Sequence, residues 1–171
     1  MQACIRAARA EGDSVGGVLE TVALGVPAGV GEPWFSSVES VLSAALFAIP
    51  AVKGVEFGDG FALCDRRGSE ANDPFRMAGE RVVTVTNHNG GVNGGITNGM
   101  PVFFRTAVKP TPTIGREQDT VDFAAGADTT LQGKGRHDPC IVHRARVVVD
   151  NVTALVLADL LVGRWGTDWL A

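Results

Sequence analysis

The chain has 171 residues, 45% of them hydrophobic, and carries a net charge of −4. A chain of this length buries roughly 70% of its unfolded surface, so one compact domain over 1–171 is expected. The acidic balance removes any general pull toward nucleic acid, and no run of about 20 apolar residues is present to span a membrane.

The start, Met1 to Arg9, contains two arginines and no apolar stretch of the kind a signal peptide needs. Cys4, Cys64 and Cys140 are widely spaced, and reduced thiols in a cytoplasm account for them most simply. The alternation in Val18–Leu24 predicts a strand. It runs into a breaker-rich loop at Gly25–Pro33. Val38, Val41, Leu42, Ala45, Leu46 and Ile49 then recur at helical spacing, Ser36 and Glu39 have capping-box spacing, and Pro50 ends the helix.

Lys53–Phe57 reads as a short strand closed by the turn Gly58-Asp59-Gly60. Arg66–Glu80 is polar and reads as an exposed loop, and the β-branched Arg81–Thr86 as a strand. The glycine-rich stretch 87–95 reads as loop, and Val102–Val108 as an apolar strand. Gly115–Gly135 is polar, with one short strand expected near Thr120–Ala124. In the last part Ala145, Val148, Val149, Val152, Leu155 and Val156 share one helical face while Val147, Ala154, Leu157 and Leu161 lie off it. That breadth predicts a helix packed on more than one side. Helices mixed with strands joined by turns predict an α+β fold with an antiparallel sheet.

Chemistry concentrates at Gly135-Arg136-His137-Asp138-Pro139-Cys140, where a fixed cation, a titratable ring and a carboxylate stand side by side. Asp138 precedes proline, which favours an extended or turn backbone, and Pro139 suits the first residues of the helix that follows. The trio is either a site or an ion pair tying a loop to a helix start. Lys109-Pro110-Thr111-Pro112-Thr113 offers an ammonium and two hydroxyls on a stiff segment. Those groups suit a phosphate, although a solvated strand end has the same composition. The glycines at 90–95 lack dinucleotide-fingerprint spacing, and a plain turn explains them equally well.

Two other patterns carry less. Gly12-Asp13-Ser14-Val15-Gly16-Gly17 is similar to the nucleophile loop of trypsin-like proteases, but the extra valine breaks the spacing and no histidine precedes Ser14. His137, Cys140 and His143 do not share a helical face, so no metal site is expected.

Taken together, the ordered segments resemble the chorismate synthase family. The resemblance runs through Gly12–Gly17, Gly25–Gly29, Gly31-Glu32-Pro33, Ile49–Glu56, Gly58-Asp59-Gly60 and Arg67–Glu70. It continues through Asn87-His88, Gly90-Gly91, Gly94-Gly95-Ile96, Lys109-Pro110-Thr111 and Gly135–Cys140. Order and approximate spacing agree from Gly12 to Leu161.

The resemblance implies a lyase that converts 5-enolpyruvylshikimate 3-phosphate into chorismate and phosphate, a 1,4-elimination that requires reduced FMN although no net redox change occurs. Some members also reduce flavin with NADPH. By position, Pro50 and Ala51 resemble a flavin contact, Gly94 a close backbone approach to the flavin, and Lys109, Pro110, Thr111, Pro112 and Thr113 the segment that holds it. Arg136 resembles the arginine at the flavin and substrate, and Asp138 the catalytic carboxylate at the flavin N5 proton.

The family's preceding half, with two catalytic histidines and several substrate-gripping arginines, has no counterpart here. The chain is therefore expected to be the carboxyl-terminal, flavin-side half of the family's β-α-β sandwich. A homotetramer, as in the family, or a partner chain carrying the other half would complete it. Asn89 and Asn93, Ala71 and His143 depart from the residues usual at those positions.

Overall fold

The computed structural model describes residues 1–166. Its centre is a three-stranded antiparallel sheet made of β1 (Gly17–Ala23), β2 (Val52–Phe57) and β7 (Val102–Val108), with β7 in the middle. Side chains alternate strictly along β7. Val102, Phe104, Thr106 and Val108 point inward and are buried, while Phe103, Arg105 and Ala107 face outward. The registers pair Gly17 and Val52 with Val108, and the β2 edge slips between Val52 and Gly54.

Helices α2 (Val38–Phe47) and α4 (Val142–Trp165) cover the inward face. Val38, Leu42 and Leu46 recur every four residues on one side of α2 and are fully buried with Val30, Val102, Phe104 and Val149. The α2 cap lies one residue beyond the expected Ser36. Ser36 closes a 3-10 turn, and Ser37 takes the extended backbone of a cap, its Oγ accepting from Ser40 N–H at 3.0 Å. Glu39 sits half-buried, and burial raises its carboxyl above the usual range.

Helix α4 buries Val142, Val149, Thr153 and Leu157, with Val152, Val156, Leu160 and Leu161 partly buried against the same core, so it packs on one face rather than on more than one side as predicted. Thr153 lies on that face at no polar cost because its Oγ1 donates to Val149 O at 2.7 Å. Val147, Val148 and Leu155 stay exposed, Leu155 at 71%. Only one side of α4 meets α2 and β1, and nothing among the described residues covers the other. The helix also begins later than expected, since Pro139 lies ahead of its cap at Ile141.

Several elements escape the sequence pattern. The amino terminus forms α1 (Gln2–Ala10), which no apolar signal marked. The expected loop at Arg66–Glu80 holds a single helical turn, α3 (Gly68–Ala71), and β3 (Phe75–Ala78), which pairs with β4 (Arg81–Thr84). The stretch after Asn87 contains a two-residue hairpin, β5 (Val92–Asn93) with β6 (Ile96–Thr97). Where one short strand was expected, β8 (Glu117–Asp122) and β9 (Ala127–Gln132) form a hairpin whose residues are all exposed.

Candidate functional site: three loops beyond the end of β7

Lys109 leaves the sheet at the Val108 end of β7, and its N–H donates to Ala51 O at 2.9 Å. Ala51 has φ +74°, a left-handed backbone that costs a non-glycine residue on the order of 1 kcal/mol or more. Pro50, Ala51 and Lys109 are thus brought together by the register of β2 on β7. Beyond Lys109 the chain passes through Pro110 to Thr113 outside the sheet. Thr111 O accepts from Ser14 Oγ at 2.6 Å, and Pro112 O from Gln118 Nε2 at 3.3 Å. Thr113 and Pro112 are exposed, whereas Thr111 is half-buried.

The Arg136–Asp138 turn reaches the same end of the fold. Val15 N–H donates to Pro139 O at 2.8 Å, and Gly115 N–H to Gly12 O at 2.9 Å. Between these strips lies a cavity of about 270 Å³, lined by Arg9, Asp13, Gly115, Arg136, His137 and Asp138 among others. Asp13 Oδ1 accepts from Ser14 N–H at 2.8 Å and Oδ2 from Arg116 at 3.1 Å. The Ser14 amide, more than the Arg116 guanidinium, lowers the Asp13 carboxyl below its ordinary value against the opposing effect of burial.

The cluster Arg136-His137-Asp138 is not a closed pair. Asp138 Oδ2 binds Arg144 Nη1 at 2.5 Å, so the carboxylate is tied to the first turns of α4. The tie between loop and helix start therefore exists, but through Arg144 rather than through Arg136. Arg136 is exposed and forms no ion pair among the described residues.

Two buried polar atoms in this region, Thr111 Oγ1 and His137 Nε2, have no hydrogen-bond partner among the described residues. Buried polar atoms are seldom left so. Arg9 and Arg136 offer the cavity two guanidinium groups, whereas Lys109 and residues 110–113 lie outside its lining.

Gly94 is not brought to this cluster. It forms the turn between β5 and β6 with φ +58°, and the space where a Cβ would stand is open. That turn adjoins the start of α2, where Val38 N–H donates to Gly95 O at 3.0 Å, and the Val102 end of β7, where Phe103 N–H donates to Gly90 O at 3.0 Å. Seven strand residues at about 3.4 Å each separate this end from Lys109. Trp34, Ser37, Glu39, Asn93 and Gly94 line a second cavity there, of about 680 Å³. Trp34 has φ +68° and is largely exposed.

Arg9, Gly12 and Asp13 line the cavity although the sequence did not mark them as site residues, and it did not mark Asp73 either. Asp73 is buried and accepts from Thr86 Oγ1, His88 N–H, Asn89 N–H and Asn89 Nδ2 at 2.7–2.9 Å, which fixes the chain entering the Gly90–Gly95 loop. The sequence signal for the first group was the glycine spacing of Gly12–Gly17. Asp73 gave none beyond Asn-Asp-Pro.

The architecture defines an α+β protein with a polar loop cluster at one end of its central sheet. Residues 1–162 match the family model described as chorismate synthase. A chorismate synthase of Opitutus terrae is 56% identical over 155 residues, covering 91% of this chain and 42% of its own length. One from Thermococcus gammatolerans is 55% identical over 157 residues, covering 92% and 44%. A solved structure titled "Crystal Structure of Chorismate Synthase" superposes with a TM-score of 0.78 at 34% identity, over 96% of this chain and 43% of that one. The chain belongs to the chorismate synthase family, and it spans less than half the length of these relatives.

Proposed function

We propose that this chain is the flavin-side portion of a chorismate synthase, which eliminates phosphate from 5-enolpyruvylshikimate 3-phosphate to give chorismate in the shikimate route to aromatic amino acids. The observation that supports the reading is that Pro50-Ala51, Lys109–Thr113 and Arg136–Asp138 are tied by hydrogen bonds to the same end of the sheet, through Lys109 N–H to Ala51 O, Ser14 Oγ to Thr111 O and Val15 N–H to Pro139 O. Those residues fit reduced FMN. When bound, it supplies electron density that helps the phosphate leave.

The chain's own residues then have separable tasks. Lys109 offers a compact charge and Thr111 a hydroxyl to the flavin's phosphate side. Arg136, free of internal pairing among the described residues, grips an anionic oxygen of cofactor or substrate. Asp138, paired with Arg144, would be the carboxylate that holds a proton beside the flavin's N5 edge. Gly94 lies at the Val102 end of β7, away from Lys109, and so stands outside this cluster.

A second reading is favoured by the coverage of 42–44% of the relatives. On that reading the chain is a truncated, non-catalytic module that binds FMN or serves only in assembly, and no partner restores turnover. Anaerobic assay of the purified chain with substrate and chemically reduced FMN separates the two. We expect flavin binding without chorismate, and chorismate once the complementary portion of a relative is added. In that reconstituted enzyme Asp138→Asn should slow turnover at least about tenfold with FMN still bound. An unchanged rate removes Asp138 from the proton path, and absence of flavin binding removes the flavin reading.

A further inference from the structure

We infer that the Gly12–Gly17 turn is a clasp that sets the shape of the Lys109–Thr113 segment, with Ser14 as its positioning residue; the inference rests on the flavin reading of that segment. The segment cannot hold itself. Two of its five residues are prolines without an N–H, and the sheet pairing ends at Val108. Lys109 spends its N–H on Ala51 O. What fixes Thr111 is supplied by the turn, through the 2.6 Å bond from Ser14 Oγ to Thr111 O, while Pro112 O has only the longer 3.3 Å bond from Gln118 Nε2.

The turn is itself held rigidly. Asp13 takes the Ser14 N–H, and Arg116 takes the other oxygen of Asp13. Gly16 closes the approach. A Cβ there would stand 2.3 Å from Val108 O and 3.0 Å from both Lys109 C and Pro110 Cδ, so no side chain can be admitted without pushing the segment away. Gly16 is required by closeness alone, since its φ is not left-handed.

The consequence is a division of tasks within one residue. The Thr111 carbonyl is anchored by Ser14, while the Thr111 hydroxyl is buried and unpartnered among the described residues. An anchored carbonyl fixes where the backbone of the segment runs before any ligand arrives, which is preorganisation. The same turn reaches the Arg136–Asp138 strip through Val15 N–H to Pro139 O, so one short element spaces both halves of the cluster.

The test is anaerobic titration of the 171-residue chain with reduced FMN, comparing wild type, Ser14→Ala, Ser14→Thr and Lys109→Met. Hydrogen exchange across residues 109–115 and thermal melts are measured on each. Ser14→Ala should weaken FMN by about fivefold, the loss of one hydrogen bond's net contribution, and speed exchange across 109–115 with the melting temperature little changed. Ser14→Thr, which keeps the hydroxyl, should restore both. Wild-type binding that Lys109→Met weakens but Ser14→Ala leaves untouched overturns the clasp. A parallel fall of affinity and melting temperature without rescue by threonine also overturns it, because the role is then merely structural. No FMN binding by the wild type defeats the flavin reading and this inference with it.

Discussion

Asp73 shows how much one carboxylate can organise. Burial pushes its carboxyl up, but the hydrogen bonds from Asn89, Thr86 and His88 together outweigh that push and hold it below the ordinary range. A carboxyl lowered on folding stabilises the fold above its unfolded value, and that contribution fades as pH falls through the lowered one. Asp73→Asn presents an amide NH₂ to donors that need an acceptor, so it should cost about 2 kcal/mol near neutral pH. Urea unfolding checks this. The gap between wild type and variant should narrow below about pH 4, as the wild-type carboxyl takes up its proton. A gap that persists unchanged in acid would show that shape, not charge, is what the position supplies.

Among the elements, α2 puts three fully buried side chains, Val38, Leu42 and Leu46, beneath the sheet, and its two ends lie in different surroundings. Its start lies against the Gly94 turn, and the chain beyond its end leads into Pro50 and Ala51. Leu42→Ala removes a fully buried side chain from beneath β7 and should cost roughly 3 kcal/mol, read as a lower urea midpoint with an unchanged slope. A loss under about 1 kcal/mol would mean that the core relaxes into the gap.

The same elements explain what the sequence disclosed. Strand β7 and helix α2 each have one wet and one dry face, so their alternation and four-residue spacing were legible. Strand β4 was legible from its β-branched residues, but β3, β8 and β9 are exposed throughout, and strands without a dry face leave no period to detect. The cap of α2 was misplaced by one residue because Ser36, Ser37 and Ser40 all have the right chemistry. Within the site, Lys109–Thr113 and Arg136–Asp138 stood out by composition. Their junction through Ser14 and Val15, and the pairing of Asp138 with Arg144, depend on tertiary approach that no local pattern encodes.

At the scale of the whole molecule, the accessible surface is 11102 Å², whereas a compact monomer of 17.8 kDa exposes about 8000 Å². Part of the excess is apolar and contiguous with the core elements. Val18 and Val22 face outward from β1, Phe61 stands beside them, and Val147 and Leu155 line the uncovered side of α4. Such a surface on a chain spanning 42–44% of its relatives' length predicts self-association and dye binding when the chain is alone. Sedimentation at several concentrations, with a hydrophobic dye as a second readout, should show a mass that rises with concentration. Adding the complementary portion of a relative should suppress both signals. A well-behaved monomer that binds no dye would contradict this.

The β8–β9 hairpin is the only covalent path from Thr113 to Arg136, yet its base is closed independently by Gly115 N–H to Gly12 O and by Gln132 Nε2 to Gly115 O at 2.7 Å. Its tip, Phe123 to Gly126, is fully exposed. Length can therefore be gained or lost at that tip without disturbing the geometry below it. This makes the hairpin a natural place for lineage-specific insertions, and a practical one for a fluorophore that reports on ligand capture without touching it.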